Sequence, residues 1–125
     1  MIRWISLLAA ACLTMPALAL EVVPYDATAF AQAQAAGKVT ALQFHSGWCP
    51  ICVMQERGVV SLKDDKVLDQ VVVFRADFMK EDALRKRFHV DSFSTLVLFR
   101  GTEEKARTTG DFRPEQLKPF FAKAF

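Results

Sequence analysis

Cys49 and Cys52 stand two residues apart, and an apolar run, Val39 to Phe44, ends just before them. A short apolar run bounded by turn-type residues suits a buried strand. Pro50 fits the first turn of a helix, where its missing N–H leaves no bond unmade. The segment therefore predicts a strand, a tight loop and a helix opening just after Cys49. That placement surrounds Cys49 with unpaired backbone N–H groups and the positive end of a helix, both of which favour thiolate over thiol. The thiolate is the nucleophile of disulfide exchange, and Cys52, one turn along, is placed to attack a mixed disulfide formed on Cys49. Because the helix turns inward, the first sulfur is expected to be exposed and the second shielded.

The N-terminus bears on where such a pair works. Met1 to Leu20 hold a single charged side chain, Arg3, followed by an apolar stretch from Trp4 to Leu13 and a break at Pro16. Ala17-Leu18-Ala19 supplies a small-x-small cleavage pattern. Residues 1–19 thus read as a signal peptide cut between Ala19 and Leu20, leaving one domain over 20–125 in the periplasm or secreted. Two alternatives are an uncleaved anchor, for which the apolar core is short of the roughly 20 residues a span requires, and lipid attachment at Cys12. Ala9-Ala10-Ala11-Cys12 only loosely resembles a lipobox, lacking a Leu three residues before the cysteine. Cleavage removes Cys12 and leaves the 49/52 pair alone, which is no multi-bridge framework.

An inert bridge closing two intervening residues would restrain the unfolded chain very little. Half of a zinc site is the other structural reading. Zinc usually needs four ligands, and the remaining soft or nitrogen donors in the domain are His45, His89, Met54 and Met79. A net charge of +2 with interspersed signs forms no basic stripe, so nucleic acid is not an expected partner.

Along the rest of the chain, Glu21-Val22-Val23 suits a short strand. A helix capped by Asp26 or Thr28 runs to about Ala36, with Gly37 as its stop. Val71 to Phe74 reads as a second central strand. Lys80 to Phe88 reads as a helix with Ala83, Leu84 and Phe88 facing inward. Leu96 to Phe99 is a strand that turns at Gly101 into another near Ala106 to Thr109. Pro114 opens a last helix carrying Leu117, Phe120, Phe121 and Phe125, with a bend or late start expected from Pro119. Alternating strands and helices give an α/β domain, and the final strand pair makes its central sheet mixed, with helices on both faces.

The segment Leu42-Gln43-Phe44-His45-Ser46-Gly47-Trp48-Cys49-Pro50-Ile51-Cys52 resembles the active-site strand and loop of thioredoxin-like proteins. Val73-Phe74-Arg75-Ala76-Asp77 resembles the family's second central strand, and Phe88-His89-Val90 the end of the next helix. Thr95-Leu96-Val97-Leu98-Phe99 with Gly101 resembles the strand after its cis-proline, and Gly110 a glycine before the last helix. The resemblance implies a thioredoxin-like fold with no cofactor. It also implies a redox-active Cys49–Cys52 disulfide, with Trp48 before the nucleophile and Pro50 and Ile51 tuning it. Phe93, Ser94 and Thr95 would form the substrate groove.

Several positions depart from the family pattern. Ser94 stands where the family has its cis-proline. A cis bond there costs about 2.5–4 kcal/mol, so trans is expected, and the hydroxyl is expected near Cys49. Gln43 replaces a buried acid that helps deprotonate the second cysteine, and a neutral amide accepts no proton at working pH. Asp77, on a neighbouring strand, is a poor substitute. His45 replaces an aromatic and offers either charge or proton transfer at Cys49. His89, among Lys86, Arg87 and Asp91, reads as a solvated surface residue. Family analogy then gives an exported thiol–disulfide oxidoreductase, monomeric, more reducing than oxidising, acting on exported protein thiols and disulfides. A membrane-embedded donor would keep it reduced. The alternative is a thioredoxin-fold copper chaperone using the same cysteines, with His45 or Met54, since soft thiolates suit Cu(I).

Overall fold

The structure, a computed structural model, describes residues 19–125. The leader up to residue 18, with Cys12, lies outside them. The elements run β1 (Glu21–Pro24), α1 (Ala27–Ala35), β2 (Val39–His45), α2 (Pro50–Ser61), β3 (Val72–Asp77), α3 (Asp82–Phe88), β4 (Thr95–Arg100), β5 (Glu103–Thr109) and α4 (Pro114–Ala122). The five strands form one mixed sheet in the order β1-β3-β2-β4-β5. β3 pairs in parallel with β1 and β2, whereas β4 runs antiparallel to both β2 and β5.

Residue parity along the central strands decides which helices cover which face. Val39 and Ala41 of β2, Val73 of β3, and Leu96 and Leu98 of β4 join Val59 of α2 and Leu117, Phe120 and Phe121 of α4 in one apolar layer. Leu42 and Phe44, Phe74 and Ala76, and Val97 and Phe99 point the other way, onto Phe30 and Ala33 of α1 and Leu84 of α3. Strands buried on both faces read as unbroken apolar runs, which is why β2 and β4 were legible as strands. Phe30 anchors the second layer through edge contacts to Phe74, Phe88 and Phe99, with centroids 5.5, 6.2 and 5.8 Å away. Each such pair contributes about 0.5–1.5 kcal/mol beyond the area it buries. Thioredoxin-like architecture, a mixed sheet with helices on both faces, is what results.

Local signals account for most boundaries. The Asp26 carboxylate, not Thr28, caps α1 by accepting from Ala29 N at 2.8 Å. Gly37 takes φ 73° just past its end. The α3 helix stops at His89 in the left-handed region, φ 55°. Its last carbonyls are met from β5: the Arg107 guanidinium donates to Phe88 O at 2.7 Å and His89 O at 3.1 Å. The sheet ends on a four-residue β1 that closes at Pro24 and on a β5 that exposes Glu103, Glu104 and Lys105.

Three sequence expectations need correction. Ala83 is exposed, and in so short a helix the inward side falls to buried Leu84, with Phe88 half-buried one turn later. The α4 helix does not start late: it begins at Pro114 and runs through Pro119 to Ala122. Proline removes the donor to the Glu115 carbonyl, and both residues are exposed, where water can serve that oxygen. Phe125 lies beyond α4 and is 53% exposed, outside the core that takes Leu117, Phe120 and Phe121.

Candidate functional site: a dithiol between an aromatic rim and buried amides

The cysteines lie where β2 runs out and α2 begins, at the carboxyl ends of the parallel strands. Cys49 is itself the N-cap of α2: its extended backbone (φ −89°, ψ 112°) precedes Pro50, and its Sγ accepts from Cys52 N at 3.3 Å. The N–H of Cys49 donates to Ser46 O at 3.2 Å, closing the tight loop. Both cysteines are free thiols in this structure, Cys49 half-buried and Cys52 buried. A cavity of about 510 Å³ lies at the other end of the sheet, lined among others by Glu21, Lys38, Val71 and Arg100.

The two sulfurs are pushed in opposite directions. Desolvation works against ionising Cys49. Hydrogen bonds with the Cys52 thiol and N–H, the Ser94 hydroxyl and Ile51 N–H outweigh it and hold the Cys49 thiol below its ordinary range. Burial raises Cys52, and the neighbouring Cys49 sulfur raises it further. The arrangement suits a ready nucleophile in front of a protonated partner.

Ser94 lies behind both. The described residues contain no cis peptide bond, and Ser94 occupies the left-handed region at φ 59°. Its hydroxyl sits 2.9 Å from Cys52 Sγ and 3.6 Å from Cys49 Sγ, so the expected proximity to Cys49 is real but second to that with Cys52. The backbone is fixed on both sides: Ser94 N donates to Phe44 O at 3.0 Å, and Ser94 O accepts from Gly110 N at 3.0 Å. Gln55 Nε2 adds a third bond, 2.8 Å to Ser94 O, and also donates to Asp111 O at 2.8 Å.

Gln55 is the residue that sequence reading missed. It is fully buried, and its Oε1 accepts from Gln43 Nε2 at 3.3 Å. Because Gln55 gives both its donor bonds to carbonyls, it turns its oxygen to Gln43. The available signal was positional: Gln55 follows Cys52 by three residues on the stripe that continues with Val59 and Leu62, a polar side chain on a core-facing helix side. Gln43 thus belongs to a neutral amide pair beneath the dithiol.

Outside, Trp48 is 68% exposed and packs edge-on to Phe93, centroids 4.9 Å apart. Phe93 in turn lies 4.0 Å from Phe78, on whose far side the Arg85 guanidinium sits 3.8 Å from the ring centroid. Exposed Pro50 and Ile51 extend this rim beside Cys49. Of the three expected groove residues, only Phe93 reaches this surface. Ser94 is buried against the sulfurs, and Thr95 is buried with its hydroxyl bonded to Ser92 O and Thr109 Oγ1. The second bond ties β4 to β5 and the first holds the loop before β4, so the hydroxyl lines no groove.

His45 is half-buried and hydrogen-bonds neither sulfur; its Nδ1 is buried without a partner. Asp77 is exposed, and its carboxylate accepts from Met79 N at 2.9 Å, capping the turn after β3. His89 is exposed at the end of α3, and Met54 is half-buried on α2. Among the described residues no three or more His, Cys, Asp or Glu side chains converge as a metal-holding group. Nor is any described helix long and apolar enough to cross a membrane.

The thioredoxin family model matches residues 21–123. Among solved structures the chain is similar to Trxlp from Edwardsiella tarda EIB202, at 35% identity over 80% of this chain and 97% of that one, TM-score 0.76. It is also similar to the germline-specific thioredoxin Deadhead of Drosophila melanogaster, at 28% identity over 78% and 91%, TM-score 0.65. A Malassezia sympodialis thioredoxin shares the fold at 19% identity over 85% and 93%, TM-score 0.70. No curated protein sequence matches. The family match over nearly all described residues agrees with the sheet order and the cysteine pair at the start of α2: this chain belongs to the thioredoxin family.

Proposed function

We propose that the protein is an exported thiol–disulfide oxidoreductase that reduces disulfides in other exported proteins. Cys49 is its nucleophile and Cys52 its resolving thiol. The observation that carries this reading is the N-capping of α2 by Cys49 Sγ, with Cys52 buried one turn beneath it. In the forward direction the Cys49 thiolate attacks a substrate disulfide and one substrate sulfur leaves as a thiol. Cys52 then attacks Cys49 Sγ, the second substrate sulfur leaves, and the enzyme carries the disulfide. Trp48, Phe93 and Ile51 give the incoming protein an apolar surface beside the reacting sulfur.

Export rests on the leader pattern over residues 1–19. Leu20, the first residue after the expected cut, is 1% exposed in the apolar layer beneath α2 and α4, which supports a domain that begins there. The reducing direction rests on how the Cys49 thiolate is held. Its hydrogen-bond partners, Cys52 N and Ser94 Oγ, are neutral, and modest thiolate stabilisation leaves a dithiol reducing. A membrane-embedded dithiol donor would return the protein to its reduced state, and the protein would act as a monomer.

The test is the Cys49–Cys52 reduction potential in a glutathione buffer. A value near about −270 mV fits the proposal, and one near about −120 mV would make the protein an oxidant. Reduction of a protein disulfide should disappear in Cys49→Ser. Undiminished activity in that variant removes Cys49 as nucleophile.

A further inference from the structure

The exchange just proposed leaves a proton unaccounted for. Cys52 must lose its proton before it attacks, yet it is fully buried and no carboxylate or imidazole lies within hydrogen-bond distance of its sulfur among the described residues. Gln43 and Gln55, the buried polar side chains beneath it, are amides that take up no proton at working pH. The side-chain group within reach is the Ser94 hydroxyl, 2.9 Å from Cys52 Sγ and 3.6 Å from Cys49 Sγ.

The placement is built rather than incidental. Ser94 is 2% exposed and holds φ 59°, a region that disfavours side chains other than Gly, Asn and Asp. Bonds to Phe44 O, from Gly110 N and from Gln55 Nε2 over-determine that conformation. Such strain persists only where the surroundings enforce it, and it concentrates at functional positions. A hydroxyl has one donor and two acceptor sites, so it can accept from one sulfur while donating to another.

We propose that Ser94 is a catalytic residue that carries the proton of the resolving step. The proposal rests on the Cys49/Cys52 exchange described above. In the mixed disulfide, Cys49 Sγ is bonded to a substrate sulfur and Cys52 is a thiol. As Cys52 Sγ forms its bond to Cys49 Sγ, its proton passes to Ser94 Oγ. The bond between Cys49 Sγ and the substrate sulfur breaks, and its electron pair leaves with the substrate sulfur, which takes the original hydroxyl proton of Ser94. The substrate sulfur ends as a thiol, the enzyme dithiol ends as a disulfide, and Ser94 is regenerated.

The test separates the two chemical steps by rapid acid quench and mass spectrometry of the reduced protein. Two probes are used: oxidised glutathione, whose alkyl thiolate needs a proton to leave, and an aromatic disulfide, 5,5′-dithiobis(2-nitrobenzoate), whose thiolate does not. Ser94→Gly removes the hydroxyl and is at ease at positive φ, so it keeps the fold; Ser94→Ala serves as a second variant. With oxidised glutathione, mixed-disulfide formation should slow by no more than about tenfold, the share that the long Ser94 bond to the Cys49 sulfur supplies. Resolution should slow by about 100-fold, the lower end for general acid–base transfer. With the aromatic disulfide the slowing should be about tenfold smaller, because only half of the transfer is then required. Wild-type resolution rates, or equal slowing with both probes, overturn the proton-carrying role. The exchange reading fails separately: it falls if Cys49→Ser still forms the mixed disulfide at the wild-type rate.

Discussion

One helical turn separates the two sulfurs, but their surroundings differ in kind. Around Cys49 the neighbours are the aromatic and aliphatic side chains of Trp48, Phe93 and Ile51, at least partly in solvent. Around Cys52 they are the hydroxyl and amides of Ser94, Gln55 and Gln43, all shut away from it. The usual order, apolar inside and polar outside, is reversed here. An exposed apolar rim costs the fold little and is free to meet a partner. A buried polar layer is tolerated only when its groups find one another, so its members are structurally interdependent. Recognition and proton handling can then change separately, while the inner layer is tied to stability.

The strongest way to break the comparison is to press on the inner layer from behind. Gly58 lies one turn after Gln55, and a Cβ there would run into the Phe112 carbonyl beside the loop that Gln55 binds. Gly58→Ala should cost about 3 kcal/mol and lower Tm by roughly 10 °C or more in a thermal melt. An unchanged melt would mean that the 111–112 loop yields freely, and the inner layer would lose its claim to rigidity.

Next in size is Gln55→Leu, which strips a donor from Ser94 O and Asp111 O and an acceptor from Gln43. Chemical denaturation should register a loss of about 2 kcal/mol. Adding Gln43→Leu should recover part of it, because an amide stranded by the first change is then gone. Strict additivity would show the two amides to be independent.

On the rim the expectation inverts. Trp48→Ala should move stability by less than about 0.5 kcal/mol, yet lower kcat/KM for a protein disulfide by about tenfold, a loss typical of an aromatic anchor. A small alkyl disulfide should notice the change far less. Equal losses on both substrates would assign Trp48 to the chemistry instead of the docking surface.

The gentlest perturbation is pH. Thiolate rises with pH, so alkylation of Cys49, whose thiol is held low by its hydrogen bonds, should reach half its maximal rate below the ordinary thiol value of about 8.5. Cys52, raised by burial, should do so above that value once Cys49 is blocked. Coincident titrations would erase the contrast between the sulfurs.

How far these two layers could be read in advance differs as well. The rim was legible because its determinants are local: Gly47, Trp48, Pro50 and Ile51 stand beside the cysteines, and Pro50 marks the helix start. The apolar run from Val39 to Phe44, bounded by turn-type residues, made β2 legible in the same way. The inner layer is assembled across 39 residues from Gln55 to Ser94 and 42 from Cys52 to Ser94. No periodic pattern spans such separations. Ser94 was noticed because it replaces a proline, but its left-handed backbone follows from bonds made by Phe44, Gly110 and Gln55, none adjacent to it. Thr95 looked like groove lining for the same reason; only the pairing of β4 with β5 reveals Thr109 opposite it.

The two rims of the sheet carry a consequence for the company this protein keeps. On one side β1 offers only four residues and ends in a proline that has no N–H to give. On the other, β5 carries Glu103, Glu104, Lys105 and Arg107, with Lys105–Glu103 and Arg107–Glu104 ion pairs along it. Neither border invites a foreign strand to continue the sheet. A chain with unpaired backbone that came to dock beside the cysteines would find no sheet edge ready to template it.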